Sequence, residues 1–460
     1  MKTIIIALCL AVSLAFAQKE APPAGSAPKD FTLPKKHIVT FKNGLEAVFI
    51  PYGRVPKVNI SVVIRVGNIN ERPGQTGLAD LMGDLMKEGT TTRTAEQIAA
   101  EAASMGGSLN VGIGVDQSTI GGEVLSEFGP RMAALAADVV RNPLFPESEL
   151  ARLKNNTLRE ITVAKSSPQQ LTFEKFRSLL YGDHPYGTVF PTEEAVKGYT
   201  VADVRKFYKE NVGAARTRIY VAGVFDQAAM EKALRDAFES WPKGPAVHTN
   251  VPKPKAKKQF HLIDRPGAAQ STIYLGLPTL NNFDPDYVKM VVTNSLLGGS
   301  FGSRITSNIR EQKGYTYSPN SQLSMRYRDG YWVQTADVTS SVTGASLKEI
   351  TYEIERLRSE APSDAEVEAI RNYIAGVFVL QNSSRGGIVG QLSNLKLHGL
   401  PDSYLANYVK NVHATTPADV QAMAKRYVRP EEMTLVITGD KASVEKQIEE
   451  FAKGVPIEKK

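Results

Sequence analysis

A repeat with a period of 216 residues constrains the fold of this chain more than any other feature of its sequence. The block "YTVADVRKFYKENV" recurs as "TTPADVQAMAKRYV". Asp203 pairs with Asp419 and, further along, Gly223 pairs with Gly439 at the same separation. In both copies the pattern predicts a helix, then an apolar strand, then a loop into an amphipathic helix. We therefore predict two similar units in tandem rather than one large domain.

A second pair of landmarks supports the repeat. Residues 145–158 and 361–374 both have a proline-started helix pattern, and Ser363 with Glu366 forms a capping box. The proline-interleaved basic run "VPKPKAKKQ" lies between the two copies. Because it lacks aromatic residues, we interpret it as a solvated linker rather than a nucleic-acid site. The predicted organisation is an N-terminal domain, a linker and a C-terminal domain over 36–245, 246–259 and 260–456.

The first residues predict an exported protein. Lys2 precedes a long uncharged, apolar stretch that ends in "AFA", so residues 1–17 are predicted to be a signal peptide cleaved before Gln18. A membrane anchor is the weaker interpretation, because the stretch is too short to span a bilayer comfortably. Residues 18–35 are predicted to form a flexible tether. The mature protein is expected in the periplasm or outside the cell.

The composition excludes several kinds of site. Cys9 is the only cysteine in 460 residues and lies in the predicted signal peptide, so disulfides and thiolate metal sites are excluded from the mature chain. The formal net charge of +7 is spread over a long chain and argues mildly against strongly basic ligands. None of the six histidines stands at ligand spacing from another.

The segment "GLADLMGDLMKEGT", residues 77–90, predicts an amphipathic helix that faces a core. Asp80, Gly83 and Asp84 lie off its apolar stripe, and Thr94 caps the helix that follows. The stripe consists of Leu78, Leu81, Met82, Leu85 and Met86.

This segment resembles the inverted zinc-binding helix of the pitrilysin/insulinase (M16) peptidase family, whose pattern is G-L-A-H-x-x-E-H-x-x-x-x-G-T. The two histidines of that pattern fall on Asp80 and Asp84, and its general-base glutamate falls on Gly83. The third ligand of the family, a glutamate further along the chain, falls on Glu160. The matching frame is Gly77, Leu78, Ala79, Gly89 and Thr90.

The resemblance therefore implies a zinc site without zinc chemistry. A hydrolytic zinc site needs three protein ligands, a water and a base, and Gly83 has no side chain to act as one. Asp80, Asp84 and Glu160 would place three negative charges together and prefer hard cations. They are predicted to form a solvated, metal-free acidic face, with loose Ca²⁺ or Mg²⁺ binding as the alternative. We expect no metal or cofactor in this chain.

The second half keeps a different motif of the same family. Its form, L-R-x-x-x-G-x-x-Y, is matched by "IREQKGYTY", which places Arg310 and Tyr317 seven residues apart. The resemblance implies that these two side chains reach a substrate bound at a zinc ion. It also implies an α+β fold of two tandem homologous units, each an antiparallel-rich sheet with helices packed on one face.

Together these observations predict the zinc-lacking subunit of a two-chain M16 peptidase. The partner would carry the intact His-x-x-Glu-His helix and the zinc, and this chain would supply Arg310 and Tyr317 in trans. The alternative is a catalytically inert peptide-binding or structural scaffold of the same fold. A remote third interpretation is an autonomous hydrolase with a carboxylate-bound metal.

Overall fold

The structure is a computed structural model of the chain, and it describes residues 31–452. The predicted signal peptide, residues 1–17, and the first part of the predicted tether lie outside the described residues. At the start of the described chain, Phe31 packs edge-on against Phe378, with ring centroids 4.9 Å apart. The predicted domain boundaries at 36–245, 246–259 and 260–456 stay predictions.

The first half of the chain builds a six-stranded sheet. Its strands are β1 (His37–Thr40), β2 (Glu46–Pro51), β3 (Lys57–Ile64), β4 (Asn110–Gly112), β5 (Ser118–Leu125) and β6 (Thr217–Gly223). They lie in the order β1-β2-β6-β3-β5-β4. The β2–β6 pair is parallel, and the other pairs are antiparallel.

The second half repeats this arrangement in a five-stranded sheet. Its strands are β7 (Gln259–Asp264), β8 (Gln270–Pro278), β9 (Asn320–Arg326), β10 (Asp329–Thr339) and β11 (Thr434–Gly439). The order is β7-β11-β8-β10-β9, again with one parallel pair, β7–β11, next to antiparallel ones. Without β1, the first sheet has the same order and the same directions. Gly223 ends β6 and Gly439 ends β11, as the repeat in the sequence predicts.

Helices connect the strands in both halves. In the first half they are α1 (Leu78–Lys87), α2 (Ala95–Ser104), α3 (Gly129–Arg141), α4 (Glu147–Ser166), α5 (Pro168–Tyr181), α6 (Glu193–Gly198), α7 (Val201–Asn211) and α8 (Gln227–Phe238). In the second half they are α9 (Tyr287–Asn294), α10 (Arg304–Thr306), α11 (Thr343–Ser359), α12 (Asp364–Gln381), α13 (Arg385–His398), α14 (Asp402–Ala406), α15 (Tyr408–Ala414), α16 (Pro417–Tyr427), α17 (Lys441–Val444) and α18 (Glu449–Ala452).

Two predicted helix caps are present. Thr94 accepts a hydrogen bond from the backbone N–H of Gln97 at 3.3 Å, and Ser363 accepts one from Glu366 at 3.3 Å. Each satisfies a donor that the first helical turn leaves without a partner inside the helix. Within residues 31–452, no helix is both long enough and apolar enough to cross a bilayer.

Both faces of each sheet are apolar, because successive residues of a strand point to opposite sides. In β2, Ala47 and Phe49 belong to the core that the first half builds with its own helices. Val48 and Ile50 face the other way, into a separate cluster. In β11, Val436 likewise points away from the core of its own half. A second apolar face must be covered by another layer.

Helix α5 of the first half supplies that cover for the second sheet. Phe176 is fully buried, and its ring centroid lies 5.7 Å from that of Tyr331 on β10. Next to it, Thr172 donates its hydroxyl to that of Thr438 on β11 at 2.7 Å.

Helix α13 of the second half covers the first sheet in return. Leu392 is buried against the face of that sheet that carries Val48 and Ile50, and its backbone carbonyl accepts a hydrogen bond from the hydroxyl of Tyr220 at 3.4 Å. At the start of α13, Arg385 donates to both carboxylate oxygens of Glu123 on β5, at 2.8 and 2.9 Å. The predicted α+β class with two tandem units is thus confirmed. Each unit also covers the sheet of the other with one helix, α5 or α13, and the sequence did not predict this.

The exchanged helix predicts that the halves depend on each other for stability. Phe176→Ala should lower the free energy of unfolding by about 3–5 kcal/mol, because it removes a fully buried ring from the second sheet. Val163→Ala, on an exposed position of α4, should change it by about 0.5 kcal/mol or less. Urea denaturation followed by circular dichroism measures both. Two separate transitions, with only one shifted by Phe176→Ala, would contradict the interdependence.

Candidate functional site

The predicted amphipathic helix at residues 77–90 is α1. It begins after Gly77, whose φ of +82° is in the left-handed region that favours glycine. All five residues of its predicted apolar stripe are buried: Leu78, Leu81, Met82, Leu85 and Met86. The local prediction is therefore confirmed, and the remaining question is what its polar side carries.

Gly83 lies where the resemblance implies a general base, and its surroundings leave no room for one. A Cβ atom built on Gly83 would lie 2.3 Å from Cγ1 and 2.7 Å from Cδ1 of Ile113. It would also lie 3.7 Å from Cγ1 of Val111 on β4. The base is thus absent, and the side chain of Ile113 fills its place.

The acidic positions lie near one another on the surface. Asn68 donates to Asp80 at 2.8 Å, and Lys87 pairs with Asp84 at 2.7 Å. Asp80 is an exposed residue, yet desolvation of its carboxyl is the largest cause that raises its pKa. The charges of Asp84 and Glu160 raise it further, whereas the hydrogen bond from Asn68 lowers it. The three carboxylates therefore influence one another electrostatically.

These residues do not fit a catalytic zinc centre. Across residues 31–452, no group of three or more His, Cys, Asp or Glu side chains is arranged to hold a metal ion. Asp80 and Asp84 already have protein partners, and Gly83 contributes no side chain. This arrangement is compatible with a chain that binds no zinc.

Glu71 is a buried carboxylate that the sequence analysis missed. Its Oε1 accepts the backbone N–H of Ala79 at 2.9 Å and the side-chain amide of Asn68 at 3.2 Å. It therefore caps α1, because Gly77, the residue before the helix, has no side chain that could do so. The glycine at this position was the sequence signal that another residue must cap the helix. Burial raises the pKa of Glu71 to about 7, and the charge of Asp80 adds to the rise.

Arg310 and Tyr317 come together in the second half, at the predicted motif. Arg310 lies in a π-helical turn, Ser307–Gln312, that continues α10 and is followed by Gly314 at φ +65°. The guanidinium carbon lies 4.9 Å from the centre of the Tyr317 ring. The tyrosine is 79% exposed, so its hydroxyl can be reached from outside.

Phe301 completes this group and was not predicted. Its ring centre lies 4.4 Å from the guanidinium carbon of Arg310, and the residue is 69% exposed. Arg310 is therefore stacked between two aromatic rings, which restrains it without using its Nη donors. Its ion pair is to the adjacent Glu311, through Nε at 3.1 Å. An exposed aromatic in the glycine-rich run "GGSFGS" was the signal for Phe301.

The structure does not join the two predicted groups to each other. In the part of the chain described, no hydrogen bond, ion pair or ring contact links Arg310 or Tyr317 to the acidic positions of the first half. What the arrangement offers is a restrained cation and an accessible phenol on a surface. Such a pair can bind a carbonyl or carboxylate and donate a hydrogen bond to a developing negative charge.

The contact between Gly83 and Ile113 predicts that Gly83→Ala changes the free energy of unfolding in opposite directions in two backgrounds. Gly83→Ala should destabilise the protein by about 1–3 kcal/mol, because its methyl group overlaps Ile113. In an Ile113→Ala background the same change should stabilise by about 1 kcal/mol, since alanine favours a helix over glycine. Thermal and urea unfolding of the four proteins measure the coupling. Equal effects in both backgrounds would show that Ile113 does not close the site.

The buried carboxyl of Glu71 predicts a pH dependence of stability. Its ordinary pKa is 4.5, and in the folded chain it is about 7, so the folded state binds the proton more tightly. The stability it contributes is full below pH 4.5 and is lost as pH rises towards 7. Glu71→Gln keeps the acceptor for Ala79 but removes the titration. The difference in unfolding free energy, wild type minus variant, should fall by about 1–3 kcal/mol between pH 4.5 and 7. A constant difference would contradict this assignment.

Two models of one protein family match this chain. A family model described as insulinase (peptidase family M16) matches residues 50–190, which include α1. A second, described as the peptidase M16 inactive domain, matches residues 198–374, which include the Arg310 motif.

Relatives of this chain carry related names. A protein from Rickettsia bellii named as an uncharacterized zinc protease is 28% identical over 341 residues, which cover 74% of this chain and 82% of that protein. Another of that name, from Streptomyces coelicolor, is 24% identical over 394 residues, covering 84% of this chain and 86% of its own length.

Solved structures have the same fold. A peptidase M16 inactive domain from Pseudomonas fluorescens matches with a TM-score of 0.81 at 24% identity, covering 88% of this chain and 98% of that one. A protease from Helicobacter pylori matches with a TM-score of 0.83 at 20% identity, covering 89% and 100%. Because these two models of the M16 family match successive parts of the chain, and together cover more than half of the sequence, this chain belongs to the M16 peptidase family.

Proposed function

We propose that this chain is the zinc-lacking subunit of a heteromeric M16 zinc peptidase. Its partner would be a chain with an intact His-x-x-Glu-His helix. The observation that carries the proposal is a contrast between the two halves. The position of the general base is closed by Ile113, whereas Arg310 and Tyr317 lie together and accessible.

The proposed division of work follows from this contrast. The partner supplies the zinc, the activated water and the general base. Arg310 binds a carbonyl or carboxylate of the peptide, and its planar guanidinium suits such a group. The hydroxyl of Tyr317 donates a hydrogen bond to the oxyanion that forms as the carbonyl is attacked. Phe301 holds the guanidinium of Arg310 in place, so we assign it as a positioning residue.

Stacking against two rings favours this role over an ordinary surface arginine. A free arginine side chain loses considerable rotamer entropy when it binds a ligand. Arg310 is already held between Phe301 and Tyr317 at 4.4 and 4.9 Å, so part of that cost is met before the substrate arrives. A π-helical turn at this place is also typical of functional sites.

The compartment is part of the proposal. The apolar start of the chain, followed by "AFA", supports export, so we propose that the complex acts in the periplasm or outside the cell. The partner would then have to be exported as well. A partner confined to the cytoplasm would be incompatible with this proposal.

The proposal predicts that catalysis needs both chains. Neither chain alone should cleave a quenched fluorescent peptide, and the mixture should. Tyr317→Phe should lower kcat of the mixture by about 100-fold, because it removes one donor to the oxyanion. Arg310→Ala should lower kcat/KM by a similar factor, since it removes a charged contact to the substrate.

Matched substitutions elsewhere serve as controls. Tyr352→Phe removes a hydroxyl from another exposed tyrosine, and Arg131→Ala removes another half-exposed arginine. Both should leave the rate of the mixture unchanged. The partner is obtained by co-purification with the tagged full chain and identified by its His-x-x-Glu-His sequence, and zinc is measured in each separated chain. Full activity of the Tyr317 and Arg310 variants would overturn the assigned roles. A stable complex without peptidase activity would instead favour the inert scaffold.

A further inference from the structure

A cavity of about 560 Å³ lies where the first sheet, the segment between the halves and the second half meet. Its wall includes Arg65, Arg216 and Arg218 from the first half and Tyr327 and Lys396 from the second. The volume is that of a pocket for a small molecule. None of these residues belongs to the acidic positions of α1 or to the Arg310 motif.

Positive charge in this cavity exceeds negative charge. Glu46 is the carboxylate in the wall, and it is shared by two cations, Arg218 at 3.2 Å and Lys396 at 3.0 Å. Burial alone would raise the pKa of Glu46, but these two cations hold it below its ordinary value. Arg65 and Arg216 remain without a carboxylate partner within the described residues. Four cations therefore face one anion.

The excess of positive charge in the cavity wall includes Arg216, which has no carboxylate partner among the described residues. It is 3% exposed, and its guanidinium donates to backbone carbonyls, among them Ala246 at 2.6 Å and Arg65 at 3.2 Å. Burial, followed by the charge of Arg65, lowers its pKa. Backbone carbonyls compensate part of the cost of burying this cation, and an approaching anion would stabilise it further.

Arg65 is held in place for such an approach. Its guanidinium carbon lies 4.5 Å from the centre of the Tyr327 ring, and its Nη1 donates to the carbonyl of Leu397 at 3.3 Å.

The buried Nε of Arg218 lies 3.2 Å from Glu46 but makes no hydrogen bond. The nearby carboxylate of Asp116 is occupied by the hydroxyl of Tyr186 and, at 3.0 Å, by the backbone N–H of Tyr327.

We propose that this cavity is a binding site for a small anionic ligand that carries phosphoryl or carboxylate oxygens. Oxyanions suit several fixed guanidinium donors better than a spherical anion does, because each guanidinium offers paired N–H groups in one plane. The cavity is larger than a single phosphate, so the ligand carries more than one such group or a short chain between them. Its wall comes from both halves, so a bound anion links them.

Isothermal titration calorimetry on the full chain tests the site with pyrophosphate and, separately, citrate. Sodium chloride keeps the ionic strength equal in all samples, because general screening alone changes weak binding. We expect saturable binding of one anion per chain. Binding of pyrophosphate alone indicates a phosphoryl ligand, binding of citrate alone a carboxylate ligand, and binding of both a general oxyanion site. The bound anion should also raise the melting temperature.

Three variants test both the direction and the magnitude of the expected change in Kd. Lys396→Gln should raise Kd about tenfold, since it removes one charged donor. Glu46→Gln should lower Kd, because it removes the carboxylate that competes for the same cations. Lys232→Gln is the matched control: this exposed lysine pairs with Asp236 on α8, and its loss should leave Kd unchanged. The proposal is wrong if the wild type binds neither anion saturably, or if Lys396→Gln and Lys232→Gln behave alike.

Discussion

The burial of both faces of both sheets is the constraint on which the rest of this structure depends. A sheet that is apolar on one side needs only the helices of its own unit. Here Val48, Ile50 and Tyr220 make the second face of the first sheet apolar as well, and α13 from the other half covers it. Helix α5 does the same for the second sheet through Phe176. The two repeats therefore form an interlocked pair, and each depends on the other to complete its core.

The two sides of α1 separate its contribution to the fold from the residues at the positions of the family's zinc ligands. The apolar stripe of α1 contributes several buried side chains to the first core, whereas Asp80 and Asp84 lie off that stripe. The identity of the side chains at 80 and 84 therefore does not affect that stripe. Gly83 has no side chain and allows Ile113 to lie against the helix, so this position is part of an apolar contact. The packing of α1 therefore does not require a metal site on its other side.

The second half presents the opposite situation. Its π-helical turn carries Arg310 outward, between Phe301 and Tyr317, where stacking restrains the cation but leaves its outer donors available. The arginines of the cavity between the halves are restrained in a related way, by backbone carbonyls and by the ring of Tyr327. In both places the protein restrains arginine side chains by aromatic stacking or by backbone carbonyls. Pairing with carboxylates is only partial, through Glu311 at Arg310 and through Glu46 in the cavity.

The sequence by itself determined what depends on local spacing. It predicted the repeat that pairs Gly223 with Gly439, the stripe of α1 and the caps at Thr94 and Ser363. The roles of Arg310 and Tyr317 were expected only through the resemblance to an M16 motif, and the contact between them is a finding of the structure. The stripe and the caps follow from side-chain direction and hydrogen bonding within a few turns of one chain segment, whereas the repeat follows from the similarity of two distant segments. The resemblance to the M16 zinc-binding helix, in which Gly83 takes the position of the general base, also implied that this base is missing.

Only the tertiary structure decided what depends on residues far apart in the chain. Ile113 closes the space at Gly83, Glu71 caps α1 from outside the helix, and Phe301 stacks on Arg310. Arg65 and Lys396 reach one cavity from opposite halves. No periodicity records these contacts, because they arise where separate elements pack, and packing is set by the shapes and charges of whole surfaces. The exchange of α5 and α13 belongs here too, since an apolar helix face does not state which sheet it will cover.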